Sequence, residues 1–170
     1  YTDSRWVSLA AGMVAVVNDV DEDKAHEVAG LLLEEGFVAF PVAGSVGESE
    51  SADLIIEEVG REFGRLDVLV NNAGVTRPAM AHRMTDETWS YVIDVALTGT
   101  FYMCRAAFKL LRDGGVSSQG PNRKVVNLSS INGIYGTAAN ANYSAAKAGI
   151  NGLTRTLSRE WASYGINVNA

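Results

Sequence analysis

The chain has 170 residues, of which 47% are apolar and 20% charged. This is the make-up of one globular domain, and it excludes disordered, collagen-like and coiled-coil chains. The 20 acidic and 14 basic side chains leave a net charge of −6 with no basic stripe, so we expect no nucleic-acid partner. The longest apolar run, residues 9–17, is shorter than the roughly 20 residues that span a bilayer, so we expect no membrane insertion.

The first part of the chain alternates predicted strands and helices. Apolar runs at residues 13–17, 37–42 and 67–70 indicate strands, because turn-forming residues follow each run. Between the strands, apolar residues at helical spacing predict two helices, which end at Gly36 and Gly64.

The second part continues the same alternation with longer helices. A long helix is predicted from about Thr85 through Leu110, with two acidic residues in its first turn. A glycine- and serine-rich loop at residues 114–124 precedes a strand at 125–128, a helix at 143–162 and a strand at 166–169.

This alternation predicts an α/β fold: a doubly wound parallel sheet with helices on both faces, in a single domain over residues 1–170. Parallel neighbours need crossover connections, and helices of this length supply them. Ligands of such sheets bind beyond the carboxyl ends of the strands. The candidate ligand-binding segments are therefore those that follow the predicted strands, at residues 18–21, 43–47, 71–78 and 129–143.

The pair Tyr143 and Lys147 is the strongest chemical signal. Four residues apart on a helix, the phenol and the ammonium lie on the same face, and a nearby cation favours the phenolate form of a tyrosine. The pair alone is weak, since a packed aromatic beside a solvated lysine is common. Ser129 and Ser130 follow a predicted strand, where one hydroxyl could bind a substrate oxygen.

Several separated motifs together resemble the short-chain dehydrogenase/reductase family. They are Asn-Asn-Ala-Gly at 71–74, Asn-Leu-Ser-Ser at 127–130, the Tyr143 and Lys147 pair, and the final strand at 166–169. In that family the catalytic serine lies thirteen positions before the tyrosine, which selects Ser130 over Ser129. The resemblance covers the chain from about residue 13 to its end.

The resemblance implies hydride transfer between a nicotinamide cofactor and a ketone or secondary alcohol. Tyr143 would exchange a proton with the substrate oxygen, Ser130 would hold that oxygen, and Lys147 would favour the phenolate and bind the nicotinamide ribose. The cofactor would also contact Tyr143 and Val46. Its adenosine ribose would lie against Asn71, Ala73 and Gly74, where small residues allow close backbone approach. Without the preceding strand, Asn71 would be interpreted as part of an ordinary turn. The sequence predicts no metal site.

Asp19 bears on the choice between cofactors. It ends the first predicted strand, at the family position where a carboxylate binds the adenosine ribose hydroxyls and repels a 2′-phosphate. This favours NAD over NADP. The alternative is a helix-capping role, although Asp21 is better placed for it, directly before the helical pattern.

The chain departs from the family pattern in several places. The family's glycine-rich turn is absent, and residues 1–12 resemble the tail of the first helix through Trp6 and Leu9, so we expect a longer polypeptide whose first strand and C-terminal part are missing here. Removing a central strand would split the sheet. Ala96 stands where the family has an asparagine that holds a relay water, and Ser45 where it usually has an aspartate near adenine.

The resemblance also suggests a substrate and an assembly. Residues 75–84 and 89–101 look most similar to those of 3-oxoacyl-thioester reductases, so a 3-oxoacyl thioester is the expected ketone. The family usually forms dimers or tetramers, so we expect a homo-oligomer. Since Cys104 is the only cysteine and no signal-like segment opens the chain, we expect a cytoplasmic location. The departures leave one rival, a catalytically impaired subunit that serves as an oligomer partner or nucleotide-binding scaffold.

Overall fold

A computed structural model describes residues 12–113 and 123–170 of the protein. The predicted helix tail in residues 1–12 lies outside this part except for its last residue, as does most of the predicted loop at 114–124. The chain divides into two compact units, one ending at Ser45 and the other beginning at Val46.

The first unit contains a parallel strand pair and one helix: β1 (Val14–Asp19), α1 (Glu22–Glu34) and β2 (Val38–Ala43). Asp21 is the N-cap residue of α1, and its carboxylate accepts a hydrogen bond from the Lys24 N–H at 3.4 Å. The Asn18 amide donates to the carbonyls of Val42 and Gly44 at 3.0 and 3.1 Å. It thereby ties the carboxyl end of β1 to that of β2.

The second unit contains a three-stranded parallel sheet in the order β3-β4-β5. Its elements are α2 (Ser49–Phe63), β3 (Val68–Asn71), a 3₁₀ turn (Ala81–Arg83), α3 (Asp86–Ile93), a π-helical turn (Asp94–Thr98), α4 (Gly99–Asp113), β4 (Arg123–Asn127), α5 (Asn132–Tyr135), α6 (Ala141–Trp161), a second 3₁₀ turn (Ala162–Tyr164) and β5 (Ile166–Asn169).

The hydrophobic core of the second unit lies on one face of this sheet. Leu69, Val125 and Val168 are buried there, where α4 packs on β3 and β4 and α6 packs on β5. Side chains alternate between the faces of a strand. Accordingly, Val70 and Lys124 lie on the opposite face and are exposed.

The predicted α/β class with parallel strands and crossover helices is confirmed. The described residues form two parallel sheets, in agreement with the expectation that the sheet is split where a central strand is missing, since β1 and β3 each pair with a single neighbour. Helices α4 and α6 pack on one face of the three-stranded sheet. The long helix predicted from Thr85 is interrupted at Asp94–Thr98, where the Gly99 N–H bonds to the Asp94 carbonyl five residues back.

Candidate active site

A buried polar network lies beneath the carboxyl ends of β3 and β4. Asn71 and Asn127 are paired in register, and the Asn71 amide donates to Asn127 Oδ1 at 2.8 Å. The Asn127 amide in turn donates to Thr154 Oγ1 of α6 at 2.9 Å, and the Asn71 amide also reaches Cys104 Sγ of α4 at 3.2 Å. The network therefore joins two strand ends to two helices and fixes where the loops after β3 and β4 begin.

The Asn71 side chain is committed to this network in the core. The contact with the cofactor that we expect for Asn71 is one made by its backbone, and it stays a prediction. Burial raises the pKa of the Cys104 thiol to about 12, so the thiol stays protonated and unreactive near neutral pH.

The two neighbouring serines have different partners. The Ser129 hydroxyl donates to the Lys147 carbonyl at 3.1 Å and so attaches the loop after β4 to α6. Ser130 Oγ instead accepts the Asn132 N–H at 3.2 Å, at the start of α5. In that bond the Ser130 oxygen is the acceptor, which leaves its O–H able to donate to a ligand. Of the two serines, Ser130 has the hydroxyl suited to a substrate oxygen.

Tyr143 and Lys147 project from the first two turns of α6. The Lys147 ammonium lies 5.6 Å from the centroid of the Tyr143 ring and donates to the Leu128 carbonyl, just beyond β4. Lys147 is 4% exposed, and this burial lowers the pKa of its amine because the charged form loses hydration. The sequence-predicted pair is thus brought together at the end of β4, beside the loop that carries Ser130.

The loop after β3 runs past the same lysine. Asn72, Ala73 and Gly74 are all exposed. A Cβ built on Gly74 would lie 3.7 Å from the Lys147 ammonium nitrogen, an ordinary van der Waals contact. The absence of a side chain at Gly74 therefore leaves the ammonium open on this side. Asn72 follows the buried end of β3 directly. It belongs to the motif at 71–74, but the sequence predicted no role for this residue by itself.

Gly133 of α5 packs against the backbone of α6. A Cβ at this position would lie 2.7 Å from the carbonyl carbon of Lys147 and 2.8 Å from the Ala148 nitrogen, closer than real Cβ atoms approach. The Gly133 N–H also donates to the Ser130 carbonyl at 2.9 Å. Only glycine allows this approach, which holds Ser130 next to the lysine-bearing turn. No pattern in the sequence indicates this contact.

Asp19, in the first unit, is half-buried at the end of β1. Its Oδ1 accepts the Asp21 N–H at 2.9 Å, and its carbonyl accepts the Gly44 N–H. Helix capping is therefore the role of Asp21, as we expected. Val46 lies in the second unit, where its side chain and carbonyl would be 3.0 to 3.1 Å from a Cβ on Gly99.

Ala96 lies within the π-helical turn and is 0% exposed. It has no polar side-chain atom, but its carbonyl accepts the Thr100 hydroxyl at 2.7 Å. Asn142, which immediately precedes Tyr143, is also 0% exposed and was not singled out by the sequence.

Comparison with known proteins decides the family. The model of the family described as short chain dehydrogenase matches residues 7–170. The chain belongs to this family. A 3-oxoacyl-(acyl-carrier-protein) reductase of Synechocystis sp. is 39% identical over 162 residues, covering 95% of this chain and 63% of that protein. An acetoacetyl-CoA reductase of Rhizobium meliloti is 49% identical over 115 residues, 68% of this chain and 45% of the relative.

Solved structures of short-chain dehydrogenases have the same fold. A gluconate 5-dehydrogenase from Burkholderia cenocepacia, in complex with NADP and tartrate, matches with a TM-score of 0.83 at 30% identity, over 91% of this chain and 58% of that one. The chain thus spans less than two thirds of the length of these relatives. In its described part, no helix is both long and apolar enough to cross a membrane.

Proposed function

We propose that the protein is a nicotinamide-dependent ketoreductase that reduces 3-oxoacyl thioesters to the corresponding 3-hydroxyacyl thioesters. The observation that carries this proposal is the proximity of the Lys147 ammonium to the Tyr143 ring at the end of β4, where the loop that contains Ser130 is attached to the Lys147 turn by the Ser129 hydroxyl. Two relatives named for the reduction of 3-oxoacyl thioesters support the substrate class.

Each of the three side chains has a task that suits its surroundings. The Tyr143 hydroxyl gives its proton to the ketone oxygen as negative charge develops there. The Ser130 hydroxyl, whose oxygen already accepts the Asn132 N–H, donates a hydrogen bond to the same oxygen. Lys147 holds a positive charge near the Tyr143 ring and stabilises the phenolate that the proton leaves behind.

The residues around Lys147 fit a nicotinamide cofactor. An ammonium has three donor hydrogens, and the Leu128 carbonyl takes one of them. The open side at Gly74 leaves room for a sugar hydroxyl to take another. When bound, the cofactor supplies the hydride. Asn72, Ala73 and Gly74 would line it through their backbone, and Val46 would contact its adenine end.

NADH is the proposed coenzyme, in preference to NADPH. The half-buried Asp19 carboxylate has one oxygen held by the Asp21 N–H, which orients it to accept ribose hydroxyls with the other. The same negative charge would repel a 2′-phosphate. The gluconate 5-dehydrogenase relative binds NADP, so the two coenzymes must be compared directly.

Turnover of a thioester tests the activity. The purified protein is mixed with acetoacetyl-CoA and NADH or NADPH, and loss of reduced coenzyme is followed at 340 nm. We expect turnover that Tyr143→Phe abolishes, because the proton donor is lost while the ring is kept. Tyr135→Phe is the matched control, because Tyr135 is an exposed tyrosine on α5. Coenzyme binding without turnover on any 3-oxoacyl thioester would instead support the scaffold alternative.

Coenzyme choice is tested by replacing Asp19. We expect Asp19→Ser to lower kcat/KM for NADH and to raise it for NADPH, because one change removes both the ribose acceptor and the repelling charge. Asp21→Ser is the matched control, because serine also caps helices and the same charge is lost two residues away. Faster reduction with NADPH than with NADH by the unsubstituted protein would contradict the role of Asp19.

A homo-oligomer in the cytoplasm completes the proposal. Trp89, Tyr91 and Phe101 are exposed on α3 and α4, and such large aromatic side chains are typical of interface cores. Light scattering of the purified protein should give the mass of a dimer or tetramer, and a monomer would contradict this assignment.

A further inference from the structure

We propose that Asn142 is a positioning residue that clamps the loop after β3 to the start of α6 and thereby holds Tyr143 in place. The inference rests on the proposed function only in what it predicts for catalysis. The clamp itself is a set of contacts within the second unit.

The Asn142 side chain makes three hydrogen bonds in a fully buried site. Its amide nitrogen donates to the Arg77 carbonyl at 3.1 Å, in the loop after β3, and to the Thr88 carbonyl at 3.2 Å, in α3. Its Oδ1 accepts the Tyr143 N–H at 2.8 Å. One amide therefore connects the start of α6 to the loop after β3 and to α3, which lie 65 and 54 residues away in the sequence.

The bond to Tyr143 completes the beginning of α6. The first four N–H groups of a helix have no partner within the helix, and the Tyr143 N–H is one of them. The N-cap residue, Asn140, makes no side-chain capping bond. A capping residue usually accepts a hydrogen bond from such an N–H group. Here Asn142 accepts it from within the first turn of α6, and the N–H group belongs to Tyr143, the proposed proton donor.

The loop after β3 is tied to the same region at a second point. The Ala79 N–H donates to the Ala139 carbonyl at 2.8 Å, and Ala79 forms a parallel bridge with Asn140. Ala139 has a φ of 63°, a left-handed conformation that is unusual for alanine and persists where surrounding contacts enforce it. The loop thus passes Lys147 at Gly74 and is bonded to the start of α6 through Arg77 and Ala79. Its position therefore bears on Lys147 directly and on Tyr143 through Asn142.

The chemistry of the contacts specifies an asparagine. Two carbonyls require a donor with two hydrogens, and the Tyr143 N–H requires an acceptor on the same short side chain. An aspartate has nearly the same size and keeps the acceptor, but it turns the donor into an oxygen facing two carbonyl oxygens. Asn142→Asp therefore releases the loop while keeping the bond to Tyr143, whereas Asn142→Ala removes all three bonds.

The experiment compares hydrogen exchange and kinetics in four proteins: the unsubstituted chain, Asn142→Asp, Asn142→Ala and Asn151→Asp. The last is the matched control, because it makes the same exchange about two and a half turns farther along α6. In Asn142→Asp we expect the Ala79 amide to exchange about tenfold faster and the Tyr143 amide to stay protected. In Asn142→Ala both amides should exchange faster.

The kinetic readout separates positioning from stability. We expect kcat of Asn142→Asp to fall by about ten- to a hundredfold, as a misplaced reacting group predicts. We also expect the solvent deuterium isotope effect on kcat to rise, because proton transfer from Tyr143 becomes slower. A purely structural residue would lower stability without changing that isotope effect in the folded fraction.

Three results would overturn the inference. Exchange at Ala79 equal to that in Asn151→Asp would show that there is no clamp, and an unchanged isotope effect in an active variant would show that the clamp does not position Tyr143. Loss of the whole fold in Asn142→Asp would make Asn142 purely structural. If the unsubstituted protein has no turnover, the proposed function fails, and the exchange data still decide whether the clamp exists.

Discussion

Replacing Gly133 by alanine should displace α5 from α6 by a predictable distance. The new Cβ would start 2.7 Å from the carbonyl carbon of Lys147, whereas ordinary contacts begin at 3.4 Å. The difference is 0.7 Å, and it has to come from backbone movement, because the opposing atoms belong to the backbone of α6. Ser130 would move with α5, since its carbonyl is bonded to the Gly133 N–H.

The expected cost follows from this displacement. Overpacking of this kind destabilises a protein by about 1–3 kcal/mol, which corresponds to a decrease in Tm of about 2–12 °C for a chain of this size. A shift approaching 1 Å between catalytic groups lowers kcat by about tenfold or more. Both quantities are measurable on one preparation, by thermal unfolding followed by circular dichroism and by ketone-dependent oxidation of NADH.

Gly152→Ala is the matched control, because it makes the same substitution on α6 where nothing lies within 4 Å of the new Cβ. Alanine favours a helix over glycine by about 1 kcal/mol, so this variant should be more stable than the unsubstituted protein and equally active. If Gly133→Ala also keeps its Tm and kcat, the close approach of α5 to α6 is not what places Ser130.

Three further predictions concern single side chains. Ser130→Ala should lower kcat strongly with little change in stability. Ser129→Ala should instead lower the unfolding free energy by about 1 kcal/mol, because its bond to α6 is lost, and keep most of kcat. Steady-state kinetics and urea unfolding measure both quantities, and equal kcat values for the two variants would contradict the assignment. The buried thiol of Cys104 has a raised pKa, so its contribution to stability is complete below pH 9.0 and is lost as the pH rises toward about 12. The unfolding free energy of Cys104→Ala, measured with urea, should therefore decline less over that pH range than that of the unsubstituted protein. Equal declines in the two proteins would refute this prediction. Ala96→Asn inserts an amide at a fully buried site, so we expect the unfolding free energy to fall by about 1–3 kcal/mol. If the relay water needs that amide, kcat should rise. Urea unfolding and steady-state kinetics measure the two effects.

Much of the fold follows from local patterns in the sequence. The strand at 166–169 is found where it was predicted, and the helix predicted at 143–162 begins two residues earlier. Helical spacing also placed Tyr143 and Lys147 on one face of α6, and the end of β4 placed Ser129 and Ser130 beside them. These features depend on period and on turn residues, which a single sequence contains. The choice of Ser130 over Ser129 came from the family resemblance.

The remaining features depend on tertiary contacts. The π-helical turn was missed because its residues continue the apolar pattern of the long helix, and α5 was missed because four residues carry no periodic signal. The burial of the Asn71 side chain could not be predicted, because its partners lie on other elements of the core. Asn142 looks like any polar residue of a helix, since the carbonyls that define its role come from distant segments.

Because of the π-helical turn at Asp94–Thr98, the two halves of the long helix pack against different neighbours. One additional residue in a turn rotates everything beyond it by about 100° around the helix axis. Before the turn α3 packs on α6, and after it α4 packs on α2, β3 and β4. Deleting one residue here would restore a continuous α-helix and rotate the packing face of one half away from its neighbours. Homologous sequences aligned through this stretch should therefore tolerate exchanges of side chain far better than changes in length.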